Sequence, residues 1–216
     1  MLLKKLNKKL VIIIGFLFVL IGAVIIYCYC SSKIIEKNTE EKSIERFYSN
    51  NKKAERSEDI SDNKIDNNVI NYIGVIKIPK INLEKGFTAK DDKNNDVEKG
   101  IKILEKSDYP NKDKGNVILA SHSGTASISY FKNLYKLSNG DEVLIIYNGN
   151  TYNYKVSSKY KIDKTGYANI KRDNSKSTLT LITCEGDDKQ IVVICELNNI
   201  AWMRWLNWKI IIITIR

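Results

Sequence analysis

A single histidine and four cysteines limit the nucleophilic and acid–base chemistry available to this chain. His122 stands where the apolar run "VILA" (117–120) gives way to polar residues. Two cysteines, Cys184 and Cys195, lie in the β-rich region that begins at Val69. Cys184 ends the β-branched run "STLTLITC" just before an acidic turn, and strand ends present reactive side chains to clefts. Cys195 sits inside "QIVVICEL", where a small sulfur-bearing residue reads as core. A thiol and an imidazole far apart in sequence can form a nucleophile–base pair once folded. The imidazolium lowers the thiol pKa and then protonates a leaving amine, and a further donor is needed for the oxyanion. The plain alternative is a surface histidine and a buried cysteine with no shared task. A Cys184–Cys195 disulfide is open to a chain outside the cytoplasm, but it would consume the nucleophile.

These two residues have to be positioned by short β-rich runs, which begin at Val69. "YIGVIKIPKINL" is a strand bent or edged at Pro79. "GNVILASHSG" leads to His122, and "SISYFKNLYKL" carries Ile128, Phe131, Leu134 and Tyr135 at helical spacing, which predicts one short helix after it. "EVLIIYNGNTYNYKV" is two strands about Asn148-Gly149, a hairpin signal. "STLTLITC" and "QIVVICEL" add two more. Many short strands with one or two small helices predict a mainly β domain, a closed or nearly closed barrel, over residues 69–200. The acidic stretch "EKGFTAKDDKNNDVEKG" lacks an ordered ligand pattern and reads as a solvated loop, so no metal and no cofactor are expected.

At the N-terminus, Lys4, Lys5, Lys8 and Lys9 precede an uncharged run from Leu10 to Tyr29, twenty residues long. That length spans a bilayer. The lysines put residues 1–9 in the cytoplasm and the rest outside. The run is long and ends "IIYCYCSS" with no small-residue cleavage site, which favours an uncleaved signal-anchor at 10–29 over a cleaved signal peptide. Residues 30–68 are polar and read as a solvated stalk, with Ile34, Ile35, Ile44 and Phe47 able to give one side of a short helix. The net charge is +10. Per residue the excess is heaviest at the two ends, beside the most apolar segments, and the charges of the central domain are mixed in sign. A nucleic-acid footprint requires a basic stripe on the domain itself, so nucleic acid is not an expected partner. Residues 201–216 form a Trp-rich tail with Trp202, Trp205 and Trp208; its uncharged end is too short to span a bilayer and suits the membrane interface.

Four blocks, in order from Tyr72 to Leu197, resemble the sortases, membrane-anchored cysteine transpeptidases of Gram-positive bacteria. "IGVIKIPKINL" looks like that family's opening strand pair. "GNVILASHSG" resembles the segment with the catalytic histidine, here His122. "YFKNLYKLSNGDEV" is similar to the helix and turn that follow, and "TLTLITC" matches the T-L-x-T-C motif, with Cys184 as nucleophile. The resemblance implies a closed eight-stranded barrel behind a transmembrane helix. It also implies a reaction. Cys184 cleaves a C-terminal sorting motif of surface proteins, forms a thioester, and passes the acyl group to an amine of peptidoglycan or a pilin, with His122 as acid and then base. The chain would sit in the cell membrane as a single-pass protein with its catalytic domain extracellular. Thr183 would help shape the substrate groove. One departure stands out: the family's arginine after the cysteine is missing, and Gln190, beside Lys189, stands nearest its place. The alternative is therefore a non-catalytic or weakly hydrolytic membrane-tethered peptide-binding domain.

Overall fold

The computed structural model describes residues 8–56, 69–165 and 168–198. They divide into two compact units, with the boundary between Lys42 and Ser43. The tail 201–216 and residues 57–68 of the expected stalk lie outside the described residues.

The first unit is helical, the N-terminal part of helix α1 (Lys8–Arg56). One helix, and among the described residues only this one, is long and apolar enough to cross a membrane. From Ile12 to Cys30 no side chain of it is buried. An amphipathic helix packed on a core would bury one stripe; this one leaves apolar residues such as Phe16, Phe18, Val24 and Ile25 exposed on all sides.

α1 does not end with the apolar run. It continues into the second unit, where Ser43, Phe47 and Tyr48 of the expected solvated stalk make contacts with the rest of that unit. Phe47 is buried at 6% exposure. Ser43 Oγ accepts a hydrogen bond from the Ile70 N–H at 3.0 Å. Tyr48 donates to Glu84 at 2.9 Å, and Lys77 pairs with the same carboxylate at 3.0 Å. Burying one phenylalanine is worth about 2–3 kcal/mol, enough to hold this turn of helix to the domain.

The rest of the second unit is mainly β. Its strands are β1 (Gly74–Ile78), β2 (Leu83–Phe87), β3 (Lys102–Ile103), β4 (Asn116–Ala120), β5 (Glu142–Tyr147), β6 (Asn150–Asp163), β7 (Thr178–Glu185) and β8 (Lys189–Leu197). They form one eight-stranded sheet in the order β2-β1-β5-β6-β8-β7-β4-β3. A bridge between Phe87 and Ile101 brings the two edges together, so the sheet curls into a nearly closed barrel. Pro79 opens a short 3-10 turn between β1 and β2. Asn148 and Gly149 both have positive φ, 48° and 73°, the requirement of a type I′ hairpin between β5 and β6.

β7 and β8 are covered on both faces, which explains their continuous apolar sequences. Inward, Leu179, Leu181, Ile191, Val193 and Cys195 join the main core with Ile76, Phe87 and Leu119. Outward, Ile118, Ile182, Val192 and Ile194 form a second cluster, with Ala168 and Ile170 of the β6–β7 connection against it. The expected helix after His122 is instead a run of turns ending in a 3-10 helix, Leu134–Lys136. Its spaced apolar residues serve the core all the same: Phe131 and Leu134 are buried, while Tyr135 is exposed.

Candidate active site

The β7–β8 hairpin sets the register of the site. Its loop, Gly186–Asp188, begins with Gly186 at a φ of 67°, a left-handed conformation that glycine adopts without strain. The hairpin places Cys184 directly opposite Gln190. Residues opposite each other in an antiparallel pair share a face, here that of Ile182 and Val192. Cys184 is half-buried and its thiol is free. Among the described residues, neither this thiol nor the Gln190 amide makes a side-chain hydrogen bond, so the amide keeps both donors.

Neither Lys189 nor Arg172 stands in for the missing arginine on that face. Lys189 pairs in register with Glu185, one residue along, so its side chain leaves the opposite face. Its ammonium is 2.7 Å from Asp163. Arg172, the one arginine between residues 57 and 203, is held at the other end of β7. There it donates to the carbonyls of Lys114, Gly115 and Lys176 and to the Thr178 hydroxyl.

His122 follows β4, which runs parallel to β7 with Ala120 level with Ile182. The Ser121 N–H donates to the Ile182 carbonyl at 3.3 Å. The Thr183 hydroxyl returns a bond to the Ser121 carbonyl at 2.8 Å. Continued by two residues, this register brings His122 level with Cys184. Thr183 itself is buried, at 3% exposure. Its hydroxyl ties β7 to the residue before His122. From the other side, the His122 carbonyl accepts from the Phe131 N–H at 3.1 Å.

Cys195 is remote from this arrangement. It faces the inner core opposite Leu179, and burial pushes its thiol pKa far up. Cys184 and Cys195 are both free, so no disulfide joins them.

One neighbour escapes sequence reasoning. Glu98 Oε1 lies 3.0 Å from His122 Nε2. It belongs to the acidic stretch read above as a solvated loop. The contact joins residues 24 apart in the chain, and no local pattern announces it. Among the described residues no group of acidic, histidine or cysteine side chains is arranged to hold a metal.

A family model described as Sortase domain matches residues 76–198, more than half of the chain. No curated protein matches it. Solved structures do. A sortase D5 transpeptidase from Clostridium perfringens is 24% identical with a TM-score of 0.55, the match covering 76% of this chain and 99% of that one. Sortase C1 from Streptococcus agalactiae is 23% identical with a TM-score of 0.53, covering 73% and 89%. A lid mutant of sortase A from Corynebacterium diphtheriae is 24% identical with a TM-score of 0.54, covering 59% and 70%. At these identities the likeness is one of fold.

Proposed function

This chain belongs to the sortase family, and we propose that it is a membrane-anchored cysteine transpeptidase that uses Cys184 and His122. The observation that supports this reading is the β4–β7 register, which sets a free, half-buried thiol and the only histidine at adjoining strand ends. The Cys184 thiolate attacks a backbone carbonyl of a sorting motif near the C-terminus of a surface protein. The tetrahedral intermediate collapses, the C–N bond breaks, and His122 gives its proton to the departing amine. An amine of peptidoglycan or a pilin then attacks the thioester. His122 takes a proton from that amine and the C–S bond breaks. Gln190, level with the nucleophile, donates to the oxyanion in place of the family's arginine. A neutral donor is about half as strong as a charge-assisted one, so the chemical step is slower than with arginine. The apolar part of α1 anchors the chain, with the lysines at its start in the cytoplasm and the barrel outside.

Intact-mass spectrometry of the full chain in detergent, incubated with a panel of sorting-motif peptides, tests the reading. The expected result is an acyl adduct that disappears in Cys184→Ala and is discharged faster by added amines than by water. A folded protein with a titratable Cys184 thiol and no adduct across the panel would leave the peptide-binding domain as the function.

A further inference from the structure

We propose that Glu98 is a positioning residue for His122, holding the ring by Nε2 so that Nδ1 is the atom that exchanges protons with the two amines. This rests on the reading of His122 as the proton carrier. A carboxylate oxygen only accepts, so at 3.0 Å from Glu98 the Nε2 atom is the donor and carries a hydrogen. With Nε2 committed, the ring keeps one nitrogen for chemistry. In the first half-reaction Nδ1–H protonates the leaving amine as the C–N bond breaks. In the second, Nδ1 takes a proton from the attacking amine as the C–S bond breaks. Glu98 neither gains nor loses a proton in either step.

The carboxylate is exposed, but the loop that carries it is built. Asn95 ties the loop to β3 with two bonds and to its own start with a third: its amide donates to the carbonyls of Ile103 and Lys90, each at 3.0 Å, and its Oδ1 accepts from the Ile103 N–H at 2.8 Å. Asp92 caps the Asn94 N–H at 2.7 Å. Asp96 then turns the chain. Its side chain accepts from the Glu98 N–H at 3.2 Å, and its carbonyl accepts from the N–H groups of Lys99 and Gly100 at 3.0 Å. The next residues are Ile101, which bridges to Phe87, and β3. Glu98 is thus fixed in backbone on the side of the ring away from the atom that must stay free. His122 is fixed independently through Ser121 and Phe131. Two separately anchored segments meeting at one short contact is how a partner residue orients a catalytic imidazole.

Because His122 is the only histidine, its two ring nitrogens give the only histidine signals in nitrogen-15 NMR of the full chain in detergent micelles. The variants are Glu98→Ala, Glu98→Gln, which keeps an acceptor oxygen, and Asn95→Ala, which loosens the loop while leaving Glu98 in place. In the wild type and in Glu98→Gln we expect a hydrogen-bonded Nε2–H, slow to exchange with water. In Glu98→Ala and Asn95→Ala that proton is lost to exchange. Acylation of Cys184 at saturating peptide falls about 10- to 100-fold in Glu98→Ala, with the peptide concentration for half-saturation unchanged and the rate partly restored by added formate. A fold defect would not respond to formate. The proposal is overturned if the Nε2–H signal is the same in the wild type and Glu98→Ala, or if acylation is unaffected. Nitrogen signals that depend on Glu98 in a protein that forms no acyl adduct would uphold the positioning contact and bring down the transpeptidase reading instead.

Discussion

At the Asn116–Thr178 end of the β4–β7 pair, polar side chains are buried and bonded to one another; six residues further along the same two chain segments, they are half-exposed and left open. Asn116 Oδ1 accepts from the hydroxyls of both Thr178 and Thr180, at 3.0 and 2.9 Å. The Asn116 N–H donates to Asp108 at 2.9 Å, and Arg172 closes over Thr178 at 3.0 Å. Thr178 and Thr180 have no exposed surface. Past Ala120 and Ile182 the same register delivers Cys184 and Gln190, whose thiol and amide are unbonded among the described residues, and His122 with a partner on an exposed loop. A buried polar group without a partner is costly, so the first end is satisfied and rigid. A thiol that must attack a substrate carbonyl has to stay unbonded and reachable, which is only tolerable at a strand end. Arg172 sits at the buried, fully bonded end.

The largest test of this division is Cys184→Ala. We expect the acyl adduct to vanish, a loss of more than about 10³-fold, while the melting temperature stays at the wild-type value. A large fall in melting temperature would mean that Cys184 belongs to the stabilising part of the pair. The converse change is Asn116→Ala, which strands two buried threonine hydroxyls. It should cost about 2–4 kcal/mol in denaturant unfolding and leave acylation per folded molecule unchanged. Activity lost in proportion to stability would show that the two ends are not independent.

The division also marks what the sequence made legible. Strands β7 and β8 stand out as apolar β-branched runs because both their faces are covered, and the β5–β6 hairpin is written in Asn148-Gly149. The barrel and the candidate pair Cys184–His122 were reachable from motif order. Three features were not, each for a physical reason. Phe47 lies in a polar stretch, and only the tertiary contact to the domain buries it. Phe131 and Leu134 keep helical spacing, yet they reach the core from turns, since burial needs only that both side chains point inward. Glu98 is one charge among many in its loop, and its meeting with His122 depends on how Asn95 ties that loop to β3.

A smaller change sharpens the reactive end. Gln190→Arg puts a charged donor opposite Cys184. If Gln190 contributes to the oxyanion, the variant should acylate about tenfold faster, since a charge-assisted bond adds roughly 1.4 kcal/mol or more over a neutral one. An unchanged rate would place the oxyanion donor elsewhere.

The smallest expected effect lies at the stabilising end and concerns pH. The bond from Lys112, and then the Asn116 N–H, hold the Asp108 carboxyl below the usual carboxylate range. A group whose folded pKa is depressed stabilises the fold above its unfolded value, about 3.9, and loses that contribution as pH falls through the folded value. The Lys112 ammonium is largely exposed, which screens the pair, so Asp108→Asn should cost less than about 1 kcal/mol at neutral pH. Its amide oxygen still accepts from Asn116, but it has no charge to lose. Unfolding curves at a series of pH values should therefore fall less steeply below about pH 4 in the variant than in the wild type. The His122–Cys184 end has no such tie to Asp108. The pH dependence of acylation near neutrality should be the same in both proteins, and a change in it would show that the two ends of the strand pair communicate.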